Sequence, residues 1–196
     1  MVGIIITFVF AYLIGSIPTG CIIVKLFTGQ DIRTVGSGST GATNVERVMG
    51  KKWFFTVMLL DALKGAFPVV LATIFMNDIY GIAPVAAAVA VLIGHSKSIF
   101  LGFTGGKSVA SGVGTILALN WVAGLTIAAI WGVITYFSRY VSLGSIIALG
   151  LSPVIMWFFG APVAYICYCA VGAVYIIYLH RENIKRLIKG EENKVR

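Results

Sequence analysis

Seven runs of apolar residues dominate the pattern along the chain, and short polar segments separate them. The runs span residues 2–27, 53–76, 82–94, 109–119, 122–137, 142–159 and 163–179. A predominantly apolar run of about 20 residues is long enough to cross a bilayer as an α-helix. The pattern therefore predicts an all-α, polytopic membrane bundle of about seven transmembrane helices, some of them short.

Three features of this pattern concern the places where helices break. Pro18 lies inside the first run, and a proline within a helical pattern predicts a kink near the inner end of that run. Residues 77–81 are expected to form a short turn. Asn120 interrupts the stretch 109–137, which forms either two short helices or one long tilted helix. The second arrangement would give six spans.

The composition supports a membrane protein. Of the 196 residues, 59% are hydrophobic and 11% are charged, and the mean hydropathy is +0.97. A soluble domain is not this apolar, so residues 1–196 are expected to form a single integral membrane domain. The first run is too long and uninterrupted for a cleaved signal peptide. The three cysteines lie within apolar runs and are expected to pack there as small residues.

The net charge is +8, and the positions of the basic residues indicate the topology, because Lys and Arg of membrane proteins concentrate in cytoplasmic loops. With seven spans and the N-terminus outside, almost every Lys and Arg lies at the inner side, and Lys64 is the exception. The six-span arrangement would place Arg139 and the basic tail opposite the first loop. The charges therefore favour seven spans with a cytoplasmic C-terminus, and we expect no nucleic-acid partner.

Three cytoplasmic segments, 28–52, 95–114 and 180–196, carry polar motifs that can meet at the inner membrane surface. The first contains GSGSTGATNVER at 36–47. Glycine lets successive N–H groups turn toward an anion, and an arginine fork suits phosphate or carboxylate. We expect an anion-binding loop rather than a flexible linker. Its candidate residues are Gly36, Ser37, Gly38, Thr43, Asn44 and Arg47.

The second segment reads HSKSIFLGFTGGKSVASGVG at 95–114. A lysine that follows two glycines at the start of an apolar helix is typical of phosphate binding at a helix N-terminus. A Walker A loop needs glycine six residues before the lysine, and that position is Leu101, so nucleotide hydrolysis is excluded. Helix packing explains Gly112 and Gly114. The phosphate-binding candidates are Thr104, Gly105, Gly106, Lys107 and Ser108.

Two further pairs of polar residues have a structural and a functional interpretation. His180 and Asn183 share a helical face where the last run leaves the membrane. Asp61 and Lys64 share a face inside the second run, where charges are costly and are usually paired. The second pair is expected to neutralise itself and to order the bundle. The alternative is that Lys64 reaches an anionic substrate.

In order and spacing, the motifs GSGSTGATNVER, LLDALKG, GHSKSIFLGFTGGKSVASG and HRENIKRLIKGEE resemble those of the PlsY family. This family comprises bacterial acyl-phosphate:glycerol-3-phosphate acyltransferases, and the resemblance covers nearly the whole chain. It implies a helical protein of the bacterial cytoplasmic membrane with a cytoplasmic active site. The implied reaction moves an acyl group from acyl phosphate to the 1-hydroxyl of glycerol 3-phosphate, giving lysophosphatidic acid and phosphate. No cofactor or metal is implied, and the partners are the two substrates and membrane lipid.

The resemblance also implies roles for individual residues. Ser37 and Arg47 are the essential pair of the first motif. Lys107 and its glycine-rich loop bind the phosphate of glycerol 3-phosphate. His180 and Asn183 contact substrate, and His180 is a catalytic candidate.

Two more residues receive roles from the same resemblance, since Ser145 is implied to line the site and Glu192 to be structural. Another large class of glycerophosphate acyltransferases carries a His-x4-Asp pair. Here His95 is followed five positions later by Phe100, so that chemistry is excluded.

A mixed acyl-phosphate anhydride is already activated, so the enzyme mainly has to position the hydroxyl group and screen negative charge. A serine nucleophile would add an unnecessary step, and we therefore expect direct attack without an acyl-enzyme. The proton acceptor is either an oxygen of the acyl phosphate or His180. The acyl chain is expected in a groove between spans, open to lipid. The alternative function is a transporter of a phosphorylated metabolite, which the one-sided placement of the motifs disfavours.

Overall fold

The computed structural model describes residues 1–76, 78 and 80–195, and the elements in this part of the chain are helical. Two 3-10 turns at Ile32–Thr34 and Ile99–Leu101 accompany the α-helices. The α-helices are α1 Val2–Ser16, α2 Thr19–Thr28, α3 Ala42–Met49, α4 Lys51–Phe75, α5 Ile82–Ser96, α6 Val109–Leu119, α7 Trp121–Ser138, α8 Val141–Gly150, α9 Ser152–Phe158, α10 Val163–Leu179 and α11 Arg181–Lys189. The predicted turn at 77–81 includes residues 77 and 79, which lie outside the described residues.

The apolar helices account for all seven predicted runs. Val2–Thr28, Lys51–Phe75 and Trp121–Ser138 are each long and apolar enough to cross a membrane. Two further candidate spans are bent pairs of helices, α8 with α9 at 43° and α10 with α11 at 60°. α5 and α6 are shorter apolar helices. The prediction of an all-α membrane bundle is therefore confirmed.

The predicted kink at Pro18 is a complete break between α1 and α2. Proline has no N–H to donate and disfavours helical backbone in the residue before it. Ile17 accordingly has φ −56° and ψ 116°, outside the helical region. The break leaves backbone carbonyl groups without helical partners inside an apolar bundle.

The stretch 109–137 forms two helices rather than one long helix. Asn120 has extended backbone, with φ −152° and ψ 103°, and separates α6 from α7. Its side chain caps α7 by accepting a hydrogen bond of 3.0 Å from the N–H of Ala123. Asparagine is a favourable N-cap because its side-chain oxygen satisfies an N–H that the helix itself leaves unpaired. This break returns the chain to the side where α6 began.

Close contacts between helix backbones hold the centre of the bundle together. A Cβ on Gly114 of α6 would collide with the backbone of Ala62 in α4, and one on Gly94 of α5 would collide with α1 at Tyr12. In lipid, helices associate through van der Waals packing, which small residues permit by letting backbones approach. The packing role predicted for Gly114 is confirmed.

A buried ion pair stabilises the break between α1 and α2. Lys64 Nζ lies 2.8 Å from Asp61 Oδ1, and the two side chains are 9% and 3% exposed. Lys64 also donates to the backbone carbonyl of Ile17 at 2.7 Å, while Thr19 Oγ1 donates to Asp61 at 2.9 Å. The two residues therefore neutralise each other and provide hydrogen-bond partners for polar groups at the break.

Removing one member of this pair should destabilise the protein strongly. We expect Lys64→Met to lower stability by about 3–5 kcal/mol, because Asp61 would keep a buried charge without its partner. Thermal unfolding of the purified protein in detergent measures the effect. Lys52→Met on the exposed end of the same helix is the control and should change stability by less than ~0.5 kcal/mol. The double variant Asp61→Asn/Lys64→Met should recover most of the loss, and equal loss in both would contradict the pairing role.

Candidate active site

A cavity of about 390 Å³ lies where the polar segments between the spans come together. The first loop, the start of α6, the start of α8 and the tail all contribute to its wall. Predicted site residues that line it are Ser37, Thr43, Asn44, Arg47, Asp61, Lys107, Ser108, Ser145, His180, Asn183 and Glu192. The remaining predicted residues, Gly36, Gly38, Thr104, Gly105, Gly106 and Lys64, are outside this lining.

The first motif folds around the side chain of Asn44. Its amide nitrogen donates to the carbonyl groups of Val35 at 3.0 Å and Ser39 at 2.9 Å. Its amide oxygen accepts a hydrogen bond of 2.8 Å from the N–H of Ser37. Gly36 has φ +61°, and a Cβ there would collide with the same amide oxygen. Asn44 therefore shapes the loop, and its amide is fully used in doing so.

This arrangement differs from the nest of backbone N–H groups that the glycines suggested. The N–H of Ser37 bonds to Asn44, and the N–H of Gly38 donates to the carbonyl of Val35 at 3.1 Å. The groups that the loop directs at the cavity are instead the Ser37 side chain, Arg47 and the first turn of α3, which begins at Ala42. The first N–H groups of a helix have no partner within the helix and attract anions.

The second motif positions Lys107 at the cavity wall. Gly105 and Gly106 are required for packing, because a Cβ on either would collide with His95 at the end of α5. The N–H of Gly106 donates to the carbonyl of His95 at 3.1 Å. Ser108 has φ +58°, and its hydroxyl group donates to the carbonyl of Leu92 at 2.8 Å. The loop thus fixes the backbone of Lys107.

Thr104 also stabilises the conformation of this loop. Its hydroxyl group donates to the carbonyl of Leu101 at 2.8 Å, and its carbonyl group accepts from the N–H of Ser98 at 3.2 Å. Both contacts close the turn that precedes the glycines.

The tail contributes a carboxylate that organises the polar end of the cavity. Glu192 accepts hydrogen bonds from Ser142 Oγ at 2.8 Å, Asn183 Nδ2 at 2.6 Å and Arg186 Nε at 2.6 Å. The amide oxygen of Asn183 in turn accepts a hydrogen bond of 2.5 Å from Lys107 Nζ. This network joins the tail to α8, α11 and the loop before α6.

Three cations, Lys107, Arg186 and Arg47, lie at this end of the cavity. Their charges affect the pKa values of Lys107 and Glu192. Burial lowers the pKa of Lys107, and the charges of Arg186 and Arg47 lower it further, whereas Glu192 opposes them. Burial raises the pKa of Glu192, but hydrogen bonds from Asn183, Arg186 and Ser142 outweigh it and leave that pKa lowered. Three cations beside one carboxylate leave an excess of positive charge that favours binding of anions.

His180 lies just beyond the last span and lines the same cavity. Its Nδ1 is 2.8 Å from the carbonyl oxygen of Ile176, which makes Nδ1 the protonated nitrogen and leaves Nε2 as an acceptor. Burial lowers the pKa of His180 to about 4, and the charge of Lys107 also lowers it. The imidazole is therefore neutral at pH 7 and can accept a hydrogen bond from a hydroxyl group.

The other end of the cavity is apolar. α4 contributes Phe54 and Met58, α6 contributes Val113, and α7 contributes Ala128 and Trp131. The rings of Phe54 and Trp131 are nearly parallel, with centroids 6.5 Å apart.

Ser145 lies at the border between the two ends. Its hydroxyl group donates to the carbonyl of Val141 at 2.8 Å and accepts a hydrogen bond of 3.2 Å from Trp131 Nε1. The cavity therefore joins a cationic end to an apolar end that lies among the spans.

The lining residues absent from the predicted set include four that can donate or accept hydrogen bonds: Ser142, Arg186, Trp131 and His95. Arg186 had a recognisable signal, because it follows Asn183 by three positions and so shares its helical face. His95 lies in the last turn of α5, and its Nδ1 lies 3.8 Å from Asp61 Oδ1. Ser142 and Trp131 carried no comparable signal in the local sequence.

Comparisons with known proteins agree with this architecture. The family model described as glycerol-3-phosphate acyltransferase matches residues 5–190. A glycerol-3-phosphate acyltransferase from Nostoc sp. strain PCC 7120 is 45% identical, and the match covers 94% of this chain and 88% of the relative.

Two crystal structures of PlsY, an integral membrane glycerol 3-phosphate acyltransferase, are also similar. The glycerol 3-phosphate form superimposes with a TM-score of 0.92 at 39% identity, covering 99% of this chain and 96% of that one. The lysophosphatidic acid form gives a TM-score of 0.90 at 37% identity with the same coverage. The chain therefore belongs to the glycerol-3-phosphate acyltransferase family.

Proposed function

We propose that this protein transfers a fatty acyl group from acyl phosphate to the 1-hydroxyl of glycerol 3-phosphate at the cytoplasmic face of the bacterial inner membrane. The products are lysophosphatidic acid and inorganic phosphate. Family membership favours this enzyme over the transporter considered as the alternative. The concentration of Lys and Arg on the side of the cavity supports the cytoplasmic location.

One observation carries the proposal: a single cavity joins three cations to an apolar end. Glycerol 3-phosphate and the phosphate of the donor are anions, whereas the acyl chain is apolar. A site that holds both substrates needs excess positive charge beside an apolar surface. Arg47, Lys107 and Arg186 supply the charge, and the lining from α4, α6 and α7 supplies the apolar surface.

We assign the two phosphate groups to different cations. Lys107 and Arg186 would bind the phosphate of glycerol 3-phosphate, since Glu192 and Asn183 already hold both cations in place. Ser37, Arg47 and the first turn of α3 would bind the phosphate of the donor. The chain of the donor would then extend past Phe54, which lies on the next helix.

The reaction needs few catalytic groups because the donor is already activated. The 1-hydroxyl oxygen attacks the acyl carbonyl carbon, and the bond from that carbon to the phosphate oxygen breaks. The hydroxyl proton passes to an oxygen of the departing phosphate, so no acyl-enzyme forms. Positioning and charge stabilisation by fixed cations account for the catalysis.

His180 suits binding better than proton abstraction. A general base is most effective when its pKa is near the working pH, and burial holds the pKa of His180 at about 4. The phosphate that leaves the acyl carbon gains negative charge as its bond breaks, so its oxygens become more basic than the buried imidazole and can accept the proton. We therefore assign His180 Nε2 as a hydrogen-bond acceptor that orients the attacking hydroxyl group.

The purified protein, supplied with palmitoyl phosphate and glycerol 3-phosphate and no other cofactor, should release phosphate and form lysophosphatidic acid in equal amounts. Both products should depend on both substrates, because transfer is direct. A phosphate assay and mass spectrometry of the lipid product measure this. Palmitoyl-CoA as donor is the control and should give no product. Trapping of an acyl group on Ser37 with labelled donor would contradict the direct mechanism.

Loss of the Lys107 charge should weaken glycerol 3-phosphate binding. We expect Lys107→Ala to raise the KM for glycerol 3-phosphate by roughly 10- to 100-fold, the usual size of a lost hydrogen bond to a charged group. Steady-state kinetics with saturating donor measure the change. Lys185→Ala is a matched control, since Lys185 is exposed and pairs with Glu182 at 3.1 Å. An unchanged KM in Lys107→Ala would refute the assignment.

The pH dependence of the reaction tests the role of His180. With its pKa at about 4, His180 is neutral throughout pH 6–8 and gains charge only as the pH falls through about 4. We expect His180→Gln to lower kcat/KM by roughly tenfold, the cost of a weakened hydrogen bond, and by the same factor across pH 6–8. A wild-type rate that rises through this range while the variant rate stays flat would make His180 the base.

A further inference from the structure

The apolar end of the cavity contains a position where α7 leaves space that no other side chain fills. Gly132 lies in the interior of α7, is half-buried and lines the cavity. A Cβ built on Gly132 has no atom within 4 Å outside its own stretch of helix. Glycine inside a helix is less stable than alanine, so a glycine that packing does not require needs another explanation.

Other glycines near this end of the bundle are required for packing. A Cβ on Gly124, earlier in α7, would contact Leu117 of α6 at 2.7 Å. A Cβ on Gly144 of α8 would collide with Thr135 of α7. Gly132 differs from both, because its missing side chain widens the cavity and brings no other helix closer.

The position of Gly132 relates this space to the substrate. Six residues separate it from the end of α7 at Ser138, which corresponds to about 9 Å along the helix axis. Its neighbour Trp131 bonds to Ser145 at the border of the polar end, and the ring of Trp131 is nearly parallel to that of Phe54. A chain that leaves the cationic end must therefore pass Gly132 before it reaches Ala128, one turn deeper on the same face of α7.

We propose that Gly132 determines which acyl chains the enzyme accepts, because its missing side chain provides the clearance for a long acyl chain beside α7. The inference rests on the proposed acyl-phosphate donor and names the residue that selects among such donors. A side chain at position 132 would occupy the path of the chain beyond its first carbons. Short donors would still react, and long donors would bind poorly.

The test compares palmitoyl phosphate with hexanoyl phosphate as donors for wild type, Gly132→Ala and Gly132→Leu. We expect the ratio of kcat/KM for the long donor to that for the short donor to fall at least about tenfold in Gly132→Leu, since several methylene groups lose their apolar site. Gly132→Ala should give an intermediate ratio. The KM for glycerol 3-phosphate should not change. Gly132→Ala should unfold at or above the wild-type temperature, because its Cβ meets open space and alanine favours helix. Retained activity of Gly132→Leu with the short donor shows that this variant is folded.

Val133→Leu is the matched control, because Val133 is the next residue on α7 and is 57% exposed on the outer side. Its donor ratio should equal that of wild type. Equal ratios in wild type and Gly132→Leu would overturn the inference while leaving the donor assignment intact. Failure of the wild type with both donors would instead overturn the proposed function. The two failures are therefore distinguishable in one experiment.

Discussion

The polar end of the cavity depends on the Glu192 carboxylate. Arg186, Asn183 and Ser142 all donate hydrogen bonds to it. Asn183 in turn accepts a hydrogen bond from Lys107 and so fixes the position of that side chain. Without this carboxylate, the neighbouring cations would repel one another and their long side chains would lose their fixed positions. With it, the cations are held in place and still exceed the local negative charge. Glu192, which lies in the tail, therefore stabilises a preorganised cluster of cations beside the membrane.

The bilayer explains why polar groups are concentrated at helix breaks. Inside a membrane every backbone group needs a partner from the protein, and a continuous helix supplies these partners by itself. Where Pro18 interrupts the first span, Lys64 of α4 donates to the carbonyl of Ile17, and Asp61 holds Lys64 in place. Where Asn120 separates α6 from α7, its own side chain caps the next helix. The second break lets two short helices replace one long one, which keeps the loop before α6 and the start of α8 at the same cavity.

Most of the fold followed from local sequence, whereas much of the site's detail did not. The length of each apolar run predicts a helix, and Pro18 and Asn120 mark where helices break. Both signals are local in the sequence, so the helices could be predicted from them. The glycine motifs did not reveal the conformation of their loops, because that conformation depends on contacts with residues distant in sequence. Gly105 and Gly106 face His95 of α5, and the N–H groups expected to bind an anion are used by Asn44 and Val35. Arg186 shares a helical face with Asn183, which the sequence shows, but its contact with Glu192 appears only in the structure.

The division of the cavity into two ends has a consequence for turnover. In the proposed reaction, the donor is held before transfer by its phosphate at the cations and by its chain at the apolar end. Cleavage of the acyl–phosphate bond separates these two attachments, so the inorganic phosphate keeps only ionic contacts and can leave into water. The new lipid keeps both kinds of contact, since its glycerol phosphate remains beside Lys107 and its chain beside Gly132. In this scheme, the width of the apolar end at Gly132 affects release of the lipid product as well as binding of the donor.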